Sequence, residues 1–75
     1  MDERLYELLV EIYEEVTRTN RRDVMVSFSN HMLDDLRVLE SNGLIRIAGM
    51  SNSNIAFKFL TNAIEVVERY IADTE

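Results

Sequence analysis

The chain lacks the residues that cross-link many small domains. Its 75 residues include no cysteine, no proline, one histidine and two glycines. Without cysteine there can be neither a disulfide nor a thiolate metal site, and a single histidine argues against a histidine-based zinc site. We therefore expect no metal and no cofactor, and packing or oligomerisation must stabilise the fold.

The sequence also lacks a long hydrophobic run. No apolar stretch approaches the length that crosses a bilayer. The amino-terminal segment MDERLYELL is acidic, whereas a signal peptide is basic and then apolar. We therefore expect a soluble, cytoplasmic protein without a membrane partner, folded as a single domain over residues 1–75.

Positive charge is scarce and unevenly distributed. Fourteen acidic residues oppose eight basic ones, which gives a net charge of −6. This balance argues against general affinity for nucleic acids or anionic membranes. Six of the eight basic residues nevertheless lie between positions 18 and 58, while most acidic residues lie in the terminal segments. A local basic surface is therefore expected in the middle of the chain.

The two terminal segments, residues 2–18 and 61–75, have helical periodicity and predict helices. Each has a second apolar row beside its main stripe. These second rows consist of Tyr6, Val10, Tyr13, Val66 and Tyr70. A chain of this size has few other layers to cover two rows, so the five residues predict a homodimer interface. The alternative is a wider contact between the two helices within one chain.

The central segment combines helical and strand patterns. Residues 29–41 predict a helix with a serine cap, and residues 44–60 predict a β-hairpin around the polar loop GMSNSN. Residues 19–28 stay ambiguous, because VMVSF suits either a short strand or one helical turn. The order helix, link, helix, hairpin, helix predicts an α+β fold.

The junction between the central helix and the hairpin carries a recognisable pattern. LESNGLIRI contains Leu39, Glu40, Gly43, Leu44 and Ile45, and the second hairpin strand runs into Phe59, Leu60 and Thr61. This pattern resembles winged helix-turn-helix proteins of the MarR and PadR kind. In them, the recognition helix closes with a leucine, an acidic residue and a glycine before the wing.

The resemblance implies a compact winged helix and a DNA-binding transcriptional regulator, prokaryotic or viral, that acts as a homodimer. The recognition helix would span about residues 29–41 and the wing about residues 44–60. The link before residue 29 is short for a full second helix plus turn. That second helix is therefore expected to be one turn long or replaced by the strand VMVSF.

Eight residues are candidates for contact with double-stranded DNA. Some lie at the start of the recognition helix, where winged-helix regulators touch base edges, and others carry positive charges that suit phosphates. They are Arg21, Arg22, Ser29, Asn30, His31, Arg37, Arg46 and Lys58. Arg46 and Lys58 share the exposed face of the hairpin, where opposed like charges are unfavourable unless an anion lies over them. The alternative is ordinary solvated charge, with Asn30 helping to cap the helix.

No catalytic constellation stands out in the sequence. The carboxylates lie on solvated helix faces, and His31 paired with Ser27 or Ser29 would lack an orienting residue. We therefore expect a DNA-binding protein and not an enzyme. A second hypothesis is an acidic winged-helix module that binds another protein as an adaptor, inhibitor or nucleic-acid mimic. Asp34, Asp35 and the net charge favour that hypothesis.

Overall fold

Three helices and a three-stranded sheet make up the described part of the protein, a computed structural model covering residues 2–27 and 30–74. The elements in chain order are α1 (Glu3–Thr19), β1 (Asp23–Ser27), α2 (Asn30–Ser41), β2 (Ile45–Met50), β3 (Asn54–Phe59) and α3 (Thr61–Thr74). The strands form one antiparallel sheet in the order β1-β3-β2. The predicted α+β class is confirmed. None of the helices in the described ranges is long and apolar enough to cross a bilayer.

Helix α1 forms where the apolar stripe predicted it. Its buried residues recur at helical spacing and are Leu5, Leu9, Ile12 and Val16. The helix ends at Asn20, which adopts the left-handed conformation with φ of 55° and donates its N–H to the Val16 carbonyl. Asparagine tolerates this conformation better than most residues, so the sequence stops the helix at this point.

Residues 23–27 of the ambiguous link form strand β1 and not a helical turn. Val24 lies opposite Phe57 of β3, and Val26 lies opposite Ile55. Only residues 28 and 29 separate β1 from α2, so there is no room for a further helix between them. A strand therefore stands between α1 and α2, and these two helices are not joined by the short turn that defines a helix-turn-helix.

The sheet buries one face and exposes the other. Alternate residues of β3 are fully buried, as period-two alternation requires: Ile55 and Phe57 are at most 1% exposed and Phe59 is 0% exposed. Buried residues of all three helices pack on this face and form one core with it. The opposite face has no helix over it in the described part of the chain, and Met25 on it is 71% exposed.

The turn from α2 into β2 is a Schellman motif. Gly43 has a φ of 73° and donates its N–H to the Glu40 carbonyl, while the Leu44 N–H reaches the Leu39 carbonyl at 3.0 Å. The Glu40 carboxylate then accepts the backbone N–H of Ile47 at 2.8 Å. Glycine and glutamate together therefore fix the angle at which the hairpin leaves α2.

The hairpin loop is shorter than predicted. The segment GMSNSN was expected to form the loop, but Gly49, Met50 and Asn54 belong to strands, which leaves residues 51–53 as the turn. A bulge between Ile47 and Gly49 shifts the register, so that Gly49 and Met50 still pair with β3. The Ser51 N–H closes the turn on the Asn54 carbonyl at 2.8 Å.

Candidate nucleic-acid interface

Arg46 and Lys58 lie directly opposite each other on β2 and β3, as exposed residues of the open sheet face. Asp23 of β1 lies opposite Lys58 on its other side. Within the described ranges the ion pairs are Arg4 with Asp35 and Arg18 with Glu15, so Arg46 and Lys58 have none. Two neighbouring cations with one carboxylate beside them leave a small positive surface.

Arg21 and Arg22 lie at the same end of the sheet as Lys58, but Arg22 is on the helix face and not on the open face. The Arg22 carbonyl accepts the Phe59 N–H at 2.8 Å, which continues the β1–β3 register by one residue. Its guanidinium Nη1 donates to the Thr61 hydroxyl at the start of α3, at 2.9 Å. Arg21 is exposed beside it. Arg22 is therefore held in place, while Arg21 is open to solvent.

Arg18 does not add to this surface. Its guanidinium donates a hydrogen bond to the Glu15 carboxylate one turn earlier on α1. That hydrogen bond lowers the pKa of Glu15 and, in return, raises the pKa of Arg18. Both side chains stay ionised at neutral pH and neutralise each other.

Arg37 lies on the other side of β2. It lines a shallow cavity together with Glu40, Ser41, Ile47 and Met50, between α2 and the β2 edge. Because α2 packs on the buried face of the sheet, Arg37 and Arg46 flank the β2 edge from opposite faces.

The residues predicted to touch bases are separated from the basic pair. Ser29 lies outside the described residues, and Asn30 and His31 occupy the first turn of α2. This turn follows the Ser27 end of β1, while Lys58 pairs at the Asp23 end. Four residues of strand separate the two ends, or about 13 Å. The predicted base contacts and the Arg46–Lys58 pair therefore lie at opposite ends of the sheet and on opposite faces.

One of the two aspartates that disfavour DNA is neutralised. Asp35 accepts a hydrogen bond from Arg4 of α1 at 3.0 Å, and its side chain is 16% exposed. Asp34 is exposed and forms no such pair in the described part of the chain. The outward face of α2 therefore presents one unpaired carboxylate instead of two.

The second apolar rows of α1 and α3 meet within one chain. Tyr6 stacks on Tyr70 with ring centroids 4.7 Å apart and planes 3° from parallel. Tyr13 approaches Phe59 at 6.5 Å between centroids. All five residues of the predicted dimer interface, Tyr6, Val10, Tyr13, Val66 and Tyr70, are half-buried. The contact within one chain is thus present, and each residue keeps some exposed surface for a second copy.

Two tertiary contacts near the candidate site have no clear signal in the sequence. The Glu40–Ile47 hydrogen bond fixes the hairpin against α2, and the Arg4–Asp35 pair spans 31 positions of the chain. Glu40 was part of the quoted junction pattern, which is the only sequence signal for its role. No local pattern indicates a pair as distant as Arg4 and Asp35.

Comparison with known proteins gives no relative. No protein-family model, no curated protein and no solved structure matches the chain. The winged-helix interpretation therefore rests on the junction residues and on the order of elements.

Proposed function

We propose that the chain is a DNA-binding transcriptional regulator of winged-helix type. Its main support is the direct opposition of Arg46 and Lys58 on the open sheet face. Opposed like charges destabilise a sheet, and a phosphate lying over them would remove that repulsion. Arg21 adds a further exposed cation at the same end.

The order of elements supports the winged part of this proposal. The hairpin of β2 and β3 follows α2 through the tight Gly43 turn, and β1 pairs with β3 to complete the sheet. Exposed residues on α2 include Asp34, Val38 and Ser41, so its outward face is accessible to a ligand. The missing helix between α1 and α2 makes this a reduced form of the architecture.

The geometry favours a duplex that lies along the β2 edge. Arg37 would contact phosphates from the α2 side, while Arg46 and Lys58 would contact them from the open sheet face. A hairpin that enters a DNA groove has phosphates on both sides, which suits cations on both of its faces. Base contacts would come from Asn30 and His31 at the start of α2, which a duplex at the β2 edge would reach across the outward face of that helix.

The proposal includes a homodimer formed through α1 and α3. The half-buried row of Tyr6, Val10, Tyr13, Val66 and Tyr70 supports this, because each residue has surface left over after packing in one chain. Sedimentation equilibrium should give twice the monomer mass. Val10→Glu should restore the monomer with an unchanged circular dichroism spectrum. A monomeric unmodified protein would rule the dimer out.

Fluorescence anisotropy with a labelled mixed-sequence duplex tests the DNA contacts. We expect binding at low salt that weakens steeply as salt rises. Arg46→Gln and Lys58→Gln should each flatten the slope of log affinity against log salt by about one unit. Arg69→Gln is the matched control, because Arg69 is an exposed arginine on α3, away from this surface.

Substitution at the start of α2 should act differently. If Asn30 contacts a base, Asn30→Ala should cost about 1–3 kcal/mol on the preferred sequence and little on others. Absence of binding at low salt, or an equal effect of Arg69→Gln, would overturn the proposal.

A further inference from the structure

An apolar groove opens at the β1 edge between α1 and α2. Its volume is about 260 Å³. Buried Phe57 and Leu36 contribute to its floor, and the half-buried side chains of Leu8 and Val26 line it. The groove is therefore an extension of the core surface that reaches the edge of the sheet.

The backbone of β1 is unpaired along this groove. The Arg22 carbonyl accepts the Phe59 N–H, and hydrogen-bonded pairs alternate along an antiparallel ladder. Val24 therefore faces β3 with its backbone groups, whereas Asp23 and Met25 direct theirs away from the sheet. Within the described ranges no other strand pairs with this side of β1. An unpaired edge of this kind is a template for an added strand.

The rim of the groove is acidic. Glu11 and Glu15 of α1 line it, and Glu7 and Glu11 line the adjoining cavity beside Leu8. Glu15 is paired with Arg18, but Glu7 and Glu11 have no ion pair in the described part of the chain. A second copy of the chain would bring an identical row of carboxylates against this one and be repelled. A basic partner would be attracted.

We propose that the β1 edge binds an extended basic segment of a partner protein. The segment adds as a fourth strand beside β1, bonds to the outward backbone groups of Asp23 and Met25, and inserts apolar side chains into the groove. Its lysine or arginine side chains contact Glu7 and Glu11. This surface lies at the opposite edge of the sheet from Arg37 and Arg46 and shares no lining residue with the proposed DNA contacts.

A fluorescein-labelled extended peptide is the probe, with valine and lysine at alternate groove-facing positions and threonine between them, because every second side chain of a strand points to the same face. We expect it to bind, and a peptide with glycine in place of valine and equal charge to bind far more weakly, because it has nothing to place in the groove. Hydrogen exchange followed by NMR should show the Met25 amide slowing in the complex. The Val24 amide, already bonded to β3, should change little.

Two charge reversals on α1 distinguish binding in this groove from general electrostatic attraction of a basic peptide to an acidic protein. Glu11→Lys should weaken the lysine–valine peptide by about tenfold or more, because it replaces an attractive rim charge with a repulsive one. Glu14→Lys makes the same charge change at an exposed position that lines neither cavity, and should leave the affinity within about twofold. Absence of peptide binding, equal effects of the two reversals, or unchanged exchange at Met25 would each overturn the proposal.

Discussion

The two edges of the sheet differ in whether their outward backbone groups are free to pair with another strand. At the β2 edge, Glu40 accepts the Ile47 N–H and a bulge interrupts the strand, and both features hinder the addition of another strand. At the β1 edge, the outward groups of Asp23 and Met25 stay open beside an apolar groove. The charges differ too, since cations flank β2 and carboxylates flank the groove at β1. The β2 edge, which hinders strand addition, can still bind anions through its cations. The β1 edge, with free backbone groups and an acidic rim, suits a basic strand.

The largest expected effect comes from truncating Phe57, a core residue of β3 that lies between the two edge strands. Phe57 lies opposite Val24 of β1 and Ile47 of β2 and is 1% exposed. Phe57→Ala should lower the free energy of unfolding by about 3–5 kcal/mol, a large part of what a small domain has. Urea denaturation measures the loss, and amide exchange should accelerate at both edges together. Continued protection of one edge would show that the two edges do not depend on a common core.

A smaller change makes the β2 edge resemble the β1 edge. Glu40→Ala removes the acceptor for the Ile47 N–H, and the loss of this exposed charged hydrogen bond should cost about 1 kcal/mol. The Ile47 amide should then exchange faster while the Met25 amide keeps its rate. Glu40→Gln retains an acceptor and should lose less stability. Equal losses for alanine and glutamine would argue against the hydrogen bond as the cause.

The smallest expected effect is a gain in stability. Arg46→Gln removes the repulsion with Lys58 across the strand pair and should raise the free energy of unfolding by about 0.3 kcal/mol. Salt screens exposed charges, so the difference should shrink as ionic strength rises. Arg37→Gln is the control, because Arg37 has no opposed cation on a neighbouring strand. A loss of stability for Arg46→Gln would show that the opposed pair is not repulsive.

Local periodicity predicted the elements whose signal lies within one segment. The stripe of α1 and the alternation of Ile55, Phe57 and Phe59 are such signals, and so is the exposed placement of Arg46 and Lys58 on the hairpin. Gly43 of the junction pattern follows the end of the central helix and has a positive φ, as a glycine at that position favours.

Local patterns do not predict which distant segments pair or which face of the sheet a helix covers. VMVSF fitted two structures, and its pairing with β3 joins residues as far apart as Asp23 and Lys58. Periodicity also shows which residues share a face without showing which face a helix covers. For that reason Asn30 and Arg46 were expected on one surface, whereas the sheet lies between α2 and the open face. The hairpin loop was predicted too long because a bulge leaves no clear mark in a short polar segment.

The stack of Tyr6 on Tyr70 also determines which part of the molecule is monitored by tyrosine spectroscopy. The chain has no tryptophan and three tyrosines, and the third, Tyr13, lies near Phe59. Its tyrosine absorption and emission therefore arise from the α1–α3 side of the core, with no tyrosine in any strand. A coupled pair of parallel rings should give a near-ultraviolet circular dichroism signal of its own. Any ligand at a sheet edge that alters this tyrosine signal must do so through the packing of the core, because neither edge cavity is lined by a tyrosine.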